Sequence, residues 1–146
     1  MTIYKVCRLE MAHGEERYFS AWNRRTQATG IDPMRLEYSL GAVTVAHQRS
    51  IGIMCWDDIG AAENFASYSG GQLERTMVLF EATLTGSTRG FRQMSMDSTR
   101  PKYRGHNLLM SHTVLCTAIE LVREVARYDP LGSRSVGNLQ MVESRK

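Results

Sequence analysis

Residues 50–86 read SIGIMCWDDIGAAENFASYSGGQLERTMVLFEATLTG, and the order of patterns in them decides the fold. Ile51 to Trp56 is an apolar run of strand length. Asp57 and Asp58 follow, and a carboxylate here can accept hydrogen bonds from the free amides of a first helical turn. Ile59, Ala62, Phe65 and Ala66 then recur at helical spacing and give one apolar stripe. Ser69-Gly70-Gly71 reads as the helix stop, because glycine enters the left-handed C-terminal conformation without steric cost. Met77 to Leu84 is a second strand with Val78, Phe80, Ala82 and Leu84 on one face, closed by Gly86. The stretch predicts a strand–helix–strand unit.

Toward the N-terminus, Ile3 to Leu9 alternates β-branched or aromatic residues with polar ones, as a strand does. His13-Gly14-Glu15-Glu16 is a polar turn, and Arg17 to Trp22 is a second strand, so the pair predicts a hairpin with a loose loop. Asp32-Pro33 bars a helix at that point. Arg35 to Leu40 alternates again and Gly41 breaks it. Val43 to Ala46 fits a short strand or an extended loop.

Toward the C-terminus, Ser87 to Pro101 has few apolar anchors and reads as a long excursion. Leu108 to Tyr128 carries two patterns at once. Leu115, Ile119, Val122 and Ala126 stand at near-helical spacing, whereas Thr113 to Ile119 is rich in β-formers. The reading adopted is a strand near Thr113–Ala118 and a short helix from about Glu120 to Arg127. From Asp129 onward Pro130, Gly132, Gly137 and several serines predict an irregular tail. The expected class is α+β. One compact domain spans 1–128, mostly antiparallel sheet with the central strand–helix–strand unit and a C-terminal helix, and 129–146 is the tail.

A chain of 146 residues suffices for one domain with a genuine core. Its 42% apolar and 23% charged residues argue against wholesale disorder. No apolar run reaches membrane-spanning length, and the start lacks a signal-peptide layout, so a cytoplasmic protein without a membrane partner is expected. Cys7, Cys55 and Cys116 are far apart and each sits among apolar residues, which predicts buried free thiols. The net charge of +3 is too small to mark the whole chain as a nucleic-acid binder.

No catalytic motif stands out. His13, His47, His106 and His112 lack the spacing of a zinc site, so no metal is expected. There is no Gly-x-Ser-x-Gly, and thiols inside apolar runs are inert because desolvation disfavours the thiolate. Gly86-Ser87-Thr88-Arg89-Gly90 lacks the Lys-Ser/Thr of a phosphate loop, although exposed amides and Arg89 suit an anion. No cofactor is expected. The best lead is cations beside aromatic rings: Trp22 with Arg24 and Arg25, Phe91 with Arg89 and Arg92, and Tyr103 between Lys102 and Arg104. A ring stacks on a base while a guanidinium grips phosphate, so these nine residues are the candidate ligand-binding set. Arg89, Arg92, Arg100, Lys102 and Arg104 face only Asp97 between Thr88 and His106, a local positive potential.

The strand starting at Ile51-Gly52, the Ala-Ala-x-x-Phe-Ala helix (Ala61 to Ala66) and the Glu-Ala-Thr-Leu-Thr-Gly strand end (Glu81 to Gly86) resemble a family of small uncharacterised proteins from phages and bacteria. So do the Tyr-Lys-Val start (Tyr4 to Val6), Ser-Ala-Trp (Ser20 to Trp22) and Thr-Val-Leu-Cys (Thr113 to Cys116). The strand–helix–strand order is also similar to part of the ADP-ribosyltransferase fold. That likeness implies an NAD-using enzyme, with Arg8, Ser39 and Glu81 in the order its site requires. The function expected first is a non-enzymatic binding protein for a small anionic or nucleotide-like ligand, in phage form one that sequesters a nucleotide immune signal, with room for a homo-oligomer. An ADP-ribosyltransferase-like enzyme and a protein–protein interaction module are the alternatives.

Overall fold

The computed structural model describes residues 2–21, 35–48, 50, 52–89, 112–131 and 133–136, with the backbone alone for Arg89. Its spine is β1 (Thr2–Ala12). One edge of β1 pairs with β6 (Met77–Leu84), from Thr2↔Thr83 to Arg8↔Met77. The other edge is shared between β5 (Ile53–Trp56), at Tyr4↔Trp56, and β2 (Glu15–Ser20), from Cys7↔Ser20 to Ala12↔Glu15. Farther out, β6 pairs with β9 (Ala118–Tyr128) and β5 pairs with β8 (Thr113–Cys116). Only Thr117 separates β8 from β9, so the ring of pairings through β1, β6, β9, β8 and β5 is closed by the chain itself. Gly86 makes this corner feasible: a Cβ there would collide with Thr117 Oγ1. Short strands complete the sheet: β3 (Glu37–Tyr38) on β2, β4 (Val43–Val45) and β10 (Arg134–Val136) on β9, and β7 (Thr88–Arg89) on β8. Every strand pairing is antiparallel.

The helix α1 (Ile59–Leu73) leaves β5 and enters β6. Those two strands run parallel, one on each edge of β1, because both are antiparallel to it. Asp58 caps α1 as the sequence suggests, its carboxylate accepting from the Ala61 amide at 2.9 Å. Alternation along β1 separates two cores. Ile3 and Cys7 join Tyr38, Ile53, Cys55, Val78, Phe80, Ala82, Cys116, Ile119 and Leu121 on one face. Val6 joins Trp56, Ala62, Ala66, Met77 and Leu79 under the helix on the other.

Four expectations need correction. The hairpin loop is tight, because His13 (φ 54°) and Gly14 (φ 80°) form a two-residue turn of the twist that antiparallel strands favour. The glycine pair does not stop the helix, which runs through it to Leu73 and is capped by Glu74 in the left-handed region. Gly70 lies where α1 meets the end of β9: a Cβ there would stand 3.3 Å from the Asp129 carbonyl and 3.6 Å from that of Tyr128. A side chain there would press on this backbone, which would have to give by a few tenths of an ångström. There is no helix over Glu120–Arg127, since β9 is one strand of eleven residues. Its partners jump from Ala126 to Glu124 and from Arg123 to Leu121, so Val125 and Val122 are extra residues in two bulges. Each bulge shifts the strand's two-residue phase by one, and the sum imitates helical spacing. Finally, Arg134–Val136 of the expected tail is β10, paired to β9 from Arg134↔Tyr128 to Val136↔Ala126. Among the described residues, no helix is long and apolar enough to cross a membrane.

Candidate functional site

Of the nine residues expected to bind ligand, Trp22, Arg24, Arg25, Phe91, Arg92, Lys102, Tyr103 and Arg104 lie outside the described residues. Arg89 lies on β7, its backbone opposite Leu115 of β8. The described cations that gather belong to a different set, built on β1.

Val6, Arg8 and Glu10 share one face of β1 by strand alternation. The hairpin register sets Phe19 opposite Arg8 and Arg17 opposite Glu10. Arg8 is only 2% exposed. Its Nε donates to Glu10 Oε2 at 2.9 Å and its terminal nitrogen to the Ala21 carbonyl at 3.2 Å. Arg35 comes over the same carboxylate, donating to Glu10 Oε1 at 2.6 Å. The Arg35 guanidinium carbon lies 3.6 Å from the centre of the Phe19 ring, a close cation–π stack. The Arg35 side chain is 8% exposed, and its Nε has no hydrogen-bond partner among the described residues. Arg75 follows α1 in the turn that the Leu9 amide ties to β1 through the Thr76 carbonyl at 2.9 Å.

Glu10 bonds both Arg8 and Arg35, the charges of Arg35 and Arg75 act on Arg8, and Glu37, which accepts from Arg17, also feels the charge of Arg35. Burial lowers the Arg8 pKa. Glu10 opposes that shift, and the charges of Arg35 and Arg75 add to it. A guanidinium keeps its proton under such pressure, so Arg8 stays a cation. Donors fixed in this way suit a carboxylate or phosphate.

The opposite face of β1 carries a second buried cation, Lys5. Its Nζ donates to the Met54 carbonyl at 3.0 Å and stands 5.2 Å from the Tyr38 ring centre. Burial presses the amine toward neutrality. The Tyr38 phenol and the Cys55 and Cys7 thiols outweigh it, and the pKa stands above the ordinary lysine value. Burial also pushes Cys7 and Tyr38 up to about 12. Cys55 shares a hydrogen bond with Cys116, and burial, then that bond, holds Cys55 well above the usual thiol value. The same bond lowers Cys116. All three thiols are buried and free, as expected from their apolar settings.

Both constellations escape a linear reading. Lys5, Arg8 and Glu10 look like the solvated positions of a half-exposed strand. The available signal is that β1 is long and mixes charges on both of its faces. Tyr38, Arg35 and Arg75 come from three other segments, and only the pairings bring them in. Of the residues an ADP-ribosyltransferase-like site would use, Glu81 accepts from Arg123 at 2.8 Å, and the Ser39 carbonyl accepts from the Ala42 amide. Arg8 sits opposite Met77 and Tyr4 opposite Glu81, a separation of roughly 13 Å at about 3.3 Å per residue. Among the described residues, no group of three or more His, Cys, Asp or Glu is arranged to hold a metal. Comparison of the chain with protein-family models, curated proteins and solved structures returns no match in any of the three.

Proposed function

We propose that this is a non-enzymatic binding protein for a small anionic, nucleotide-like ligand. The observation that supports the reading is the convergence of two guanidiniums on Glu10, with the Arg8 and Arg35 side chains 2% and 8% exposed and Arg35 stacked on Phe19. Burial weakens solvent screening, so an anion entering there is attracted more strongly than at an exposed arginine. The α+β class, organised on β5, α1 and β6, belongs to the same reading, as does a cytoplasmic setting. The resemblance to phage proteins gives it a concrete form: sequestration of a nucleotide immune signal, with a homo-oligomer able to supply further contacts. Trp22, Arg24, Arg25, Arg89, Phe91, Arg92, Lys102, Tyr103 and Arg104 are proposed as additional ligand contacts from the loops.

Calorimetry against a nucleotide panel tests this. Three proteins are compared: the parent, Arg35→Ala, and Arg89→Ala combined with Arg92→Ala and Arg104→Ala. Binding by the parent that is lost in Arg35→Ala places the ligand at Glu10. Loss in the triple variant places it on the loop. A parent that binds no member of the panel removes the reading.

A further inference from the structure

Three thiols and one buried ammonium gather on a single face of the sheet. Ile3, Lys5 and Cys7 alternate to the same side of β1. The Tyr4↔Trp56 pairing sets Lys5 beside Cys55 of β5, and each acts on the charge of the other. On the other edge of β5, Ile53 lies opposite Cys116 and Cys55 opposite Val114. Cys55 and Cys116 are therefore diagonal neighbours on one face of a strand pair. Both are fully buried in the same core cluster, and their thiols share a hydrogen bond.

Burial in apolar surroundings keeps a thiol unreactive, because it disfavours the thiolate. Cys7 follows that rule, pushed up to about 12 chiefly by desolvation. Cys116 does not. The hydrogen bond from Cys55 outweighs its burial, the charge of Lys5 adds to that bond, and the thiol stands below its ordinary value. Cys55 is held well above its own. The shared bond thus keeps a proton on Cys55 and favours negative charge on Cys116, which gives the two sulfurs different roles.

We propose that Cys55 and Cys116 are a redox couple, oxidised to a disulfide by hydrogen peroxide and restored by a thiol reductant. The couple needs no ligand at Glu10 and stands apart from the anion reading. The Cys116 thiolate attacks one peroxide oxygen and breaks the O–O bond. Its sulfur is oxidised to a sulfenic acid, and the other oxygen leaves as water with the proton that Cys116 gave up. The Cys55 sulfur then attacks the sulfenic sulfur. An S–S bond replaces the S–O bond, and a second water carries off the Cys55 proton. Two thiols and one peroxide give one disulfide and two waters. Local opening of the short β5–β8 pair, four residues on each strand, admits the oxidant. Diagonal neighbours stand about 7–8 Å apart at Cα, and a disulfide usually spans roughly 4.4–6.8 Å. Closing the bond draws β5 toward β8, and a bond strained in this way is readily reduced. The pair is thereby suited to switching, and β5 leads through Asp57 and Asp58 into α1.

The test is thiol counting on the full chain before and after hydrogen peroxide. The oxidant is removed with catalase, and the free thiols are labelled with N-ethylmaleimide in mildly acidic guanidinium and counted by intact mass. The proteins are wild type, Cys7→Ala, Cys55→Ala and Cys116→Ala. Wild type should fall from three free thiols to one and regain all three with dithiothreitol. Cys7→Ala should lose both of its thiols together. Cys55→Ala should stop at a sulfenic acid on Cys116, captured by dimedone, and Cys116→Ala should keep both thiols. If the variants do not fold, peptide mapping of oxidised wild type decides: a peptide pair joined through Cys55 and Cys116 within one chain supports the couple. Wild type that keeps three thiols, or a bridge that includes Cys7, overturns it. A Cys116→Ala protein that still forms a disulfide overturns it as well.

Discussion

Lys5 and Arg8 stand three residues apart on one strand, both buried, and they meet opposite fates. Strand alternation sends Lys5 into the core ringed by β1, β5, β8, β9 and β6, where its partners are a carbonyl, a phenol ring and thiols. Arg8 emerges on the other face at the hairpin, beside a partly exposed carboxylate and two more guanidiniums. The first site is enclosed by apolar residues and serves cohesion. The second gathers guanidiniums on a carboxylate that reaches solvent. What separates the two cations is the company each keeps: a carbonyl, a phenol and thiols for Lys5, a carboxylate and other guanidiniums for Arg8.

The contrast can be broken by substitution, and the largest effects belong to the enclosed face. Phe80 is fully buried with Tyr18 packed edge-on at 4.9 Å, so Phe80→Ala should cost about 3–5 kcal/mol in urea unfolding. Lys5→Glu should cost on the order of 3–5 kcal/mol, because it buries a carboxylate facing a carbonyl. Phe19→Ala, on the open face, should cost about 1–2 kcal/mol, from partial burial and loss of the Arg35 stack. Comparable losses on the two faces would erase the distinction.

A smaller effect tests the helix end. Nothing lies within 4 Å of a Cβ at Gly71, whereas Gly70 is crowded by backbone. Gly71→Ala should therefore stabilise by about 0.5–1 kcal/mol, and Gly70→Ala should gain less or lose. Equal gains would mean that α1 does not press on β9 at Gly70.

The smallest effect is electrostatic. Hydrogen bonds from Arg127 hold Glu16 below the usual carboxylate value, and those from Arg17 do the same for Glu37. Depressed folded-state values mean that this stability is present above the unfolded carboxylate range. It is lost as pH falls through the lower folded values. Arg17→Ala and Arg127→Ala should flatten the acid limb of a stability–pH curve, slightly for such exposed carboxylates; a limb of unchanged slope would deny them the role.

Legibility in the sequence followed how local each cause was. The Asp58 cap, the extent of Met77–Leu84 and the assignment of Val78, Phe80 and Ala82 to one face were readable, since each depends on neighbours within a few residues. The long strand β9 was misread because bulges at Val122 and Val125 are defined only against β6. The glycine pair was misread because crowding at Gly70 comes from Tyr128 and Asp129, far along the chain. Basic and aromatic neighbours drew attention to residues 89–104, while the described arginine cluster joins Arg8, Arg35 and Arg75, whose sequence separation leaves no local signature.

By itself, then, the order of residues determined where strands alternate, where α1 begins and which thiols are buried, because hydrophobic period and capping act over one or two turns of chain. Tertiary pairing decided which charges meet. The register of β1 with β2 and β6 brings Phe19 beside Arg8 and draws the Arg75 turn close. The Glu10 carboxylate, attracting through space and without regard to sequence distance, holds Arg8 and Arg35 together.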